Sequence, residues 1–180
     1  MSGIKQPIKD ILELLRTFPI TNGDGQSVTP YVRLWNNQIT KLKEGMQEVF
    51  PMPALFVEVG QLNFQNIGQG FRSSELNFKV HIAHEFYDAA DGTYEQDLAV
   101  FDLRDKVIGY LSSMTPTACS PLEAVGEGQD NDHDNIYHYV IEFTCNFTDS
   151  TASKEDPTNP YANINSNTPT QLILNEQISK

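Results

Sequence analysis

The sequence predicts an α+β fold: a mainly antiparallel sheet of about four strands, two of them long, packed by two to three helices and followed by a flexible C-terminal tail. Three observations predict it. Residues 75–86 and 137–148 alternate apolar and polar side chains with a strict period of two. Three other stretches repeat their apolar residues at helical spacing. After Thr148 the composition shifts to Ser, Thr, Asn and Pro, which divides the chain into a domain over 1–148 and a tail or arm over 149–180.

Taken in order, Ile4, Ile8, Ile11, Leu12, Leu15 and Phe18 mark a first helix, stopped by Pro19. Thr21 to Pro30 is turn-forming, with Asn-Gly and Asp-Gly supplying positive-φ positions. Ile39, Leu42, Met46, Val49 and Phe50 predict a second helix that ends at Pro51, and Ala54–Val59 reads as a buried strand. Gly60 to Gly70 has the Asn, Gln and Gly content of a loop between strands, without a phosphate-binding GxGxxG or Walker lysine.

In the first long strand Leu76, Phe78, Val80, Ile82, His84 and Phe86 form the dry face. In the second, Tyr137, Tyr139, Ile141, Phe143, Cys145 and Phe147 do so. One dry and one wet face is the pattern of an antiparallel sheet. Twelve residues span roughly 40 Å at ~3.3 Å each, so these strands are expected to project as a hairpin or to meet a neighbouring subunit. Between them Tyr94 to Met114 reads as a helix with two adjacent apolar stripes. One holds Leu98, Phe101, Ile108 and Leu111; the other holds Val100, Leu103, Val107 and Tyr110. So wide an arc exceeds what one sheet covers: it fits a helix deep in its own core or one clamped between its sheet and a partner, and the second reading makes Phe101, Leu103, Val107 and Tyr110 candidates for a subunit interface. A short strand near Cys119 to Val125 then turns through Gly126 to Asn135. In the tail, Leu172, Ile173 and Leu174 are the apolar residues able to add to an adjacent subunit.

Composition bounds the function. Ten Phe, seven Tyr and one Trp support a sheet-rich core, and the formal net charge is −12. Residues 85–142 hold 13 acidic side chains against Arg104 and Lys106, a net of −11. Such a balance opposes nucleic-acid and anionic-membrane binding and reads as a solvated face. The N-terminus carries no apolar run of signal length, and no stretch approaches membrane-spanning length. Cys119 and Cys145 form no metal-ligand spacing and read as small core residues.

Candidate chemistry is sparse. Asp130, Asp132 and Asp134 resemble the opening of a calcium loop, but Ile141 stands where the closing Glu belongs, and the stretch reads as an acidic hairpin turn containing His133. His81 and His138 fall on the wet faces of the long strands, where pairing would bring them together. They lack a third ligand at fixed spacing and do not define a zinc site. His84 falls in the buried register. No nucleophile elbow, reactive Cys or Ser/His/Asp spacing occurs, so neither catalysis nor a cofactor is expected.

The order helix, helix, strand, long strand, helix, strand, long strand, tail resembles the small tail-completion and tail-terminator proteins of tailed bacteriophages. The resemblance rests on Pro53-Ala-Leu-Phe-Val-Glu58, Leu76–Ile82, Asp97–Val107 and Tyr137–Phe143, and covers roughly residues 4–148. It implies a virion subunit, made in the host cytoplasm, that forms a ring, usually hexameric. Such a ring caps the tail tube and offers a docking surface to neck or head-completion proteins, while DNA passes through without specific binding. No catalytic residues carry over. Another neck, connector or baseplate subunit is the near alternative. From other classes stand a metal-dependent enzyme using the Asp130–Asp134 turn and a monomeric adaptor capturing peptides at a sheet edge.

Overall fold

The computed structural model describes residues 3–21, 26–43, 45, 49–85, 95–130 and 136–153, apart from the side chains of residues 21, 43 and 95–97. The fold is mixed α+β. Helix α1 (Lys5–Leu15) buries Pro7, Ile8, Ile11 and Leu15 along one stripe. Pro7 lies in the first turn, where its missing N–H has no intrahelical partner to lose. The helix ends in a tight turn in which Thr17 donates both its N–H (2.9 Å) and its hydroxyl (2.7 Å) to the Leu14 carbonyl.

A short pair, β1 (Ile20–Thr21) and β2 (Ser27–Val28), precedes β3 (Tyr31–Leu34), α2 (Gln38–Lys43) and β4 (Ala54–Val59). Next come β5 (Gln65–Gly68), β6 (Phe71–Glu85), α3 (Glu95–Ser112), β7 (Glu123–Asp130) and β8 (Ile136–Asp149). Among the described residues the main sheet runs β3-β4-β6-β8-β7, with β5 pairing β6 off that path. Its pairings are antiparallel except β3 with β4. The sheet thus has six strands where the sequence predicts about four. Tyr31–Leu34 and Gln65–Gly68 are four-residue strands, too short to show a period.

The two long strands are central neighbours, in register from Arg72↔Asp149 to Glu85↔Ile136. β6 outruns β4, and its first residues fold back onto β5 through Gly68, Gln69 and Gly70, all at positive φ. Of the predicted second helix, α2 takes Gln38–Lys43, and Met46 lies outside the described residues. β7 is a strand through Gly126 and Gly128, where the sequence predicts a turn, because β8 pairs with it from Glu123 to Asp130, with a shift of register between Ala124 and Gly126.

α1 and α3 cover one sheet face. Leu55, Val57, Leu76, Phe78, Val80, Ile82, Ile141, Phe143 and Phe147 meet Ile11 and Leu15 there, with Val100, Leu103, Val107 and Leu111 from α3. The buried stripe of α3 therefore follows 100, 103, 107 and 111, one face of a 3.6-residue period. Asp10 fastens α1 to the loop after α3, accepting from the Thr117 N–H (2.9 Å) and the Gln6 amide (2.7 Å). On the other face, among the described residues, α2 covers one end, where Ile39, Phe50, Ala54, Phe56 and Ala83 form a second cluster edged by Trp35.

The folded body continues past the predicted boundary at 148. Asp149 ends β8 and accepts from the Thr151 N–H (2.9 Å) and hydroxyl (2.7 Å); it also pairs with Arg72, and Ser153 is buried. This segment lies so close to Gly70 (φ +82) that a Cβ there would meet the Ala152 carbonyl oxygen at 2.2 Å. No helix among the described residues is long and apolar enough to cross a membrane.

Candidate functional site

The half-covered sheet face places two histidines together. His81 on β6 lies opposite Val140 on β8, and His138 lies opposite Ala83, so the two rings are diagonal neighbours on one face. His81 Nδ1 is 3.0 Å from His138 Nε2. His81 Nε2 is 2.9 Å from a Glu58 carboxylate oxygen on β4, and His138 Nδ1 is 3.1 Å from Asp130 on β7. Four adjacent strands thus contribute one group each to a continuous chain, Glu58–His81–His138–Asp130.

Trp35 roofs the chain. Its backbone N–H donates to the Val57 carbonyl at 2.9 Å, which seats it at the end of β3. From there its ring lies 4.0 Å from that of His81 at 3°, and 5.9 Å from that of His138 at 22°. This stacking corrects the wet-face reading of both histidines: His81 is 6% exposed and His138 2%. His84 is buried as predicted, near the Glu85 carbonyl oxygen at 3.0 Å.

Above the rings opens a groove of about 650 Å³ lined by Trp35, Glu58, Lys79, Glu127, Asp130 and Glu142, among others. Four carboxylates to one ammonium make it acidic. Lys79 pairs with Glu142 at 2.6 Å, and that hydrogen bond raises the lysine pKa. Burial pushes the His81 pKa below the ordinary imidazole value; the hydrogen bond and charge of Glu58 offset only part of this. Among the described residues no group of three His, Cys, Asp or Glu is placed to hold a metal ion. The two facing histidine nitrogens point at one another rather than at a shared centre.

Of the predicted interface residues, Leu103 and Val107 are taken up by the chain's own core, because they occupy the inward side of α3. Phe101 and Tyr110 are exposed; Phe101 packs edge-on against Tyr137 and Tyr139, and Tyr110 stacks on Phe18. Asp130 ends β7 bonded to His138, while Asp132, His133, Asp134, Leu172, Ile173 and Leu174 lie outside the described residues. Cys119 and Cys145 are free thiols in mutual contact. Hydrogen bonding to Cys145 and burial push the Cys119 thiol upward. Sequence reasoning missed Trp35 and Glu58. The signal was the chain's one Trp standing directly before Asn36-Asn37, a turn into α2 in which Asn37 has positive φ.

No protein-family model matches the chain, and no curated protein matches it in sequence.

Proposed function

We propose that the chain is a non-catalytic structural subunit of a tailed-bacteriophage virion. It assembles head to tail into a ring, hexameric as in the family it resembles, that ends the tail tube and gives the neck or head its docking surface. One observation carries this reading. Among the described residues the main sheet ends in β3 on one side and β7 on the other, and each edge shows exposed apolar side chains: Leu34 at 51% with neighbouring Val59 at 37%, and Val125 at 58%. A ring closes through two unlike surfaces related by rotation. Edge strands offer main-chain groups ready to pair with another chain. The acidic balance supports passage of DNA beside the subunit without adhesion.

Light scattering and electron microscopy of the purified protein, alone and with its tail-tube protein, test the reading. A closed ring at a multiple of the 20.2 kDa chain mass is the expected result. Leu34→Glu and Val125→Glu should each abolish it without unfolding the chain. A species that stays at 20.2 kDa in both settings would overturn the ring and favour an adaptor that captures peptides at one edge.

A further inference from the structure

We propose that Glu58, His81, His138 and Asp130 form a binding site for one exchangeable proton, and that Trp35 reports its occupancy. The inference is independent of how the chain assembles.

Proton counting leads to it. The chain contains three contacts: carboxylate to His81 Nε2, His81 Nδ1 to His138 Nε2, and His138 Nδ1 to carboxylate, at 2.9, 3.0 and 3.1 Å. Each is a hydrogen bond only if one hydrogen lies between its two heavy atoms. A neutral imidazole carries one N–H, so two neutral rings fill at most two of the three contacts. In every neutral arrangement at least one contact sets lone pair against lone pair, or lone pair against carboxylate. A single added proton from solvent fills all three. Glu58 then accepts from His81 Nε2, His81 Nδ1 donates to His138 Nε2, and His138 Nδ1 donates to Asp130. A second proton would force two N–H groups together in the central contact. The site therefore takes one proton and stops.

Exposure along the chain suits this exchange. The rings are buried, whereas the side chains of Glu58 and Asp130 are 41% and 40% exposed. Protons enter and leave through the carboxylate ends. Among the described residues the charged groups facing the pair are Glu58 from β4, Lys79 from β6, Asp130 from β7 and Glu142 from β8, with Glu127 at the rim; α2 presents Thr40. Burial opposes the added charge at His81 and holds that ring's pKa below the ordinary imidazole value, while Glu58 and Asp130 act against it. The flat Trp35 face on His81 then holds a cation–π pair in place of two stacked neutral rings.

The full chain, titrated from pH 8 to 5 with far-UV circular dichroism to confirm folding, gives the test. Trp35 is the one tryptophan. Its emission should be quenched reversibly in a single step with a midpoint below 6.5, as imidazolium forms against it. Histidine ¹⁵N spectra should show one imidazolium shared between His81 and His138. The decisive variants are Asp130→Asn and Glu58→Gln. Each supplies a carboxamide N–H that fills its end contact without an added proton, so the midpoint should fall by about one pH unit or more. Independent titration of both rings, an Asp130→Asn midpoint equal to that of the unmodified chain, or no change in emission before unfolding would each overturn the proposal.

Discussion

Arg104 on α3 grips Glu127 on the edge strand β7 with a forked pair of hydrogen bonds, Nε to one carboxylate oxygen at 2.7 Å and a terminal nitrogen to the other. The guanidinium holds the Glu127 carboxyl below its ordinary pKa, and Glu127 raises that of Arg104 in return. This clamp ties the outermost strand to the helix that covers the sheet. Replacing Arg104 with Ala should cost about 1 kcal/mol, the upper end for a solvent-accessible pair. For a chain of this size that is about 2–4 °C in thermal melting. Arg104→Lys should recover part of it, since an ammonium cannot fork.

Leu103 and Phe101, two positions apart on α3, should respond differently. Leu103→Ala removes a side chain packed in the core and should destabilise by about 2–5 kcal/mol in denaturant unfolding. Phe101→Ala loses its edge contacts with Tyr137 and Tyr139 at a half-exposed site, and should cost about 1 kcal/mol. Equal losses would place both residues in one environment, against the burial seen here.

A chain ending at Ser153 should melt as the full chain does, whereas one ending at Thr148 should not. The shorter version deletes Asp149 and leaves Arg72 beside the hairpin with its partner gone, a loss of about 1–3 kcal/mol. Differential scanning calorimetry of the two truncations separates the cases.

Stability should fall in two stages on acidification. The His81 pKa is lowered in the folded state, so the unfolded chain binds the proton more tightly. Its contribution is complete above about pH 6.5 and lost as pH drops from there through the folded value. Asp10, Glu127 and Asp149 are also held below their ordinary values, and for Asp10 and Asp149 their hydrogen bonds outweigh the opposing effect of burial. Their contributions are lost below about pH 4.5. Thermal melting between pH 8 and 3 should show both descents, and His81→Phe should flatten the first.

The alternation of residues 75–86 and 137–148 is strong enough to show both central strands and which side of each meets the helices. Phe78, Val80, Ile141 and Phe143 are buried accordingly. The same alternation misplaces His81 and His138, because periodicity reports one strand at a time, and here Trp35 arrives from a strand 46 residues before His81 to cover the opposite face. β3 and β5 escape notice since four residues hold no countable period. Gly126 and Gly128 read as turn residues, yet a strand that pairs on one side and faces a groove tolerates them. The Glu58–His81–His138–Asp130 chain was half legible: the histidines are visible as a pair, but their carboxylate ends depend on cross-strand register.

The central ladder of the sheet joins residues as far apart as Arg72 and Asp149, 77 positions along the chain. During synthesis β6 must therefore wait beside β4 with its other edge bare until nearly the whole domain has emerged. Pairings this distant in sequence form slowly, after local helices and hairpins. The last strand made is thus the one that seals the middle of the sheet, and a nascent chain stalled before residue 136 would present β6's open edge to its neighbours as an invitation to aggregate.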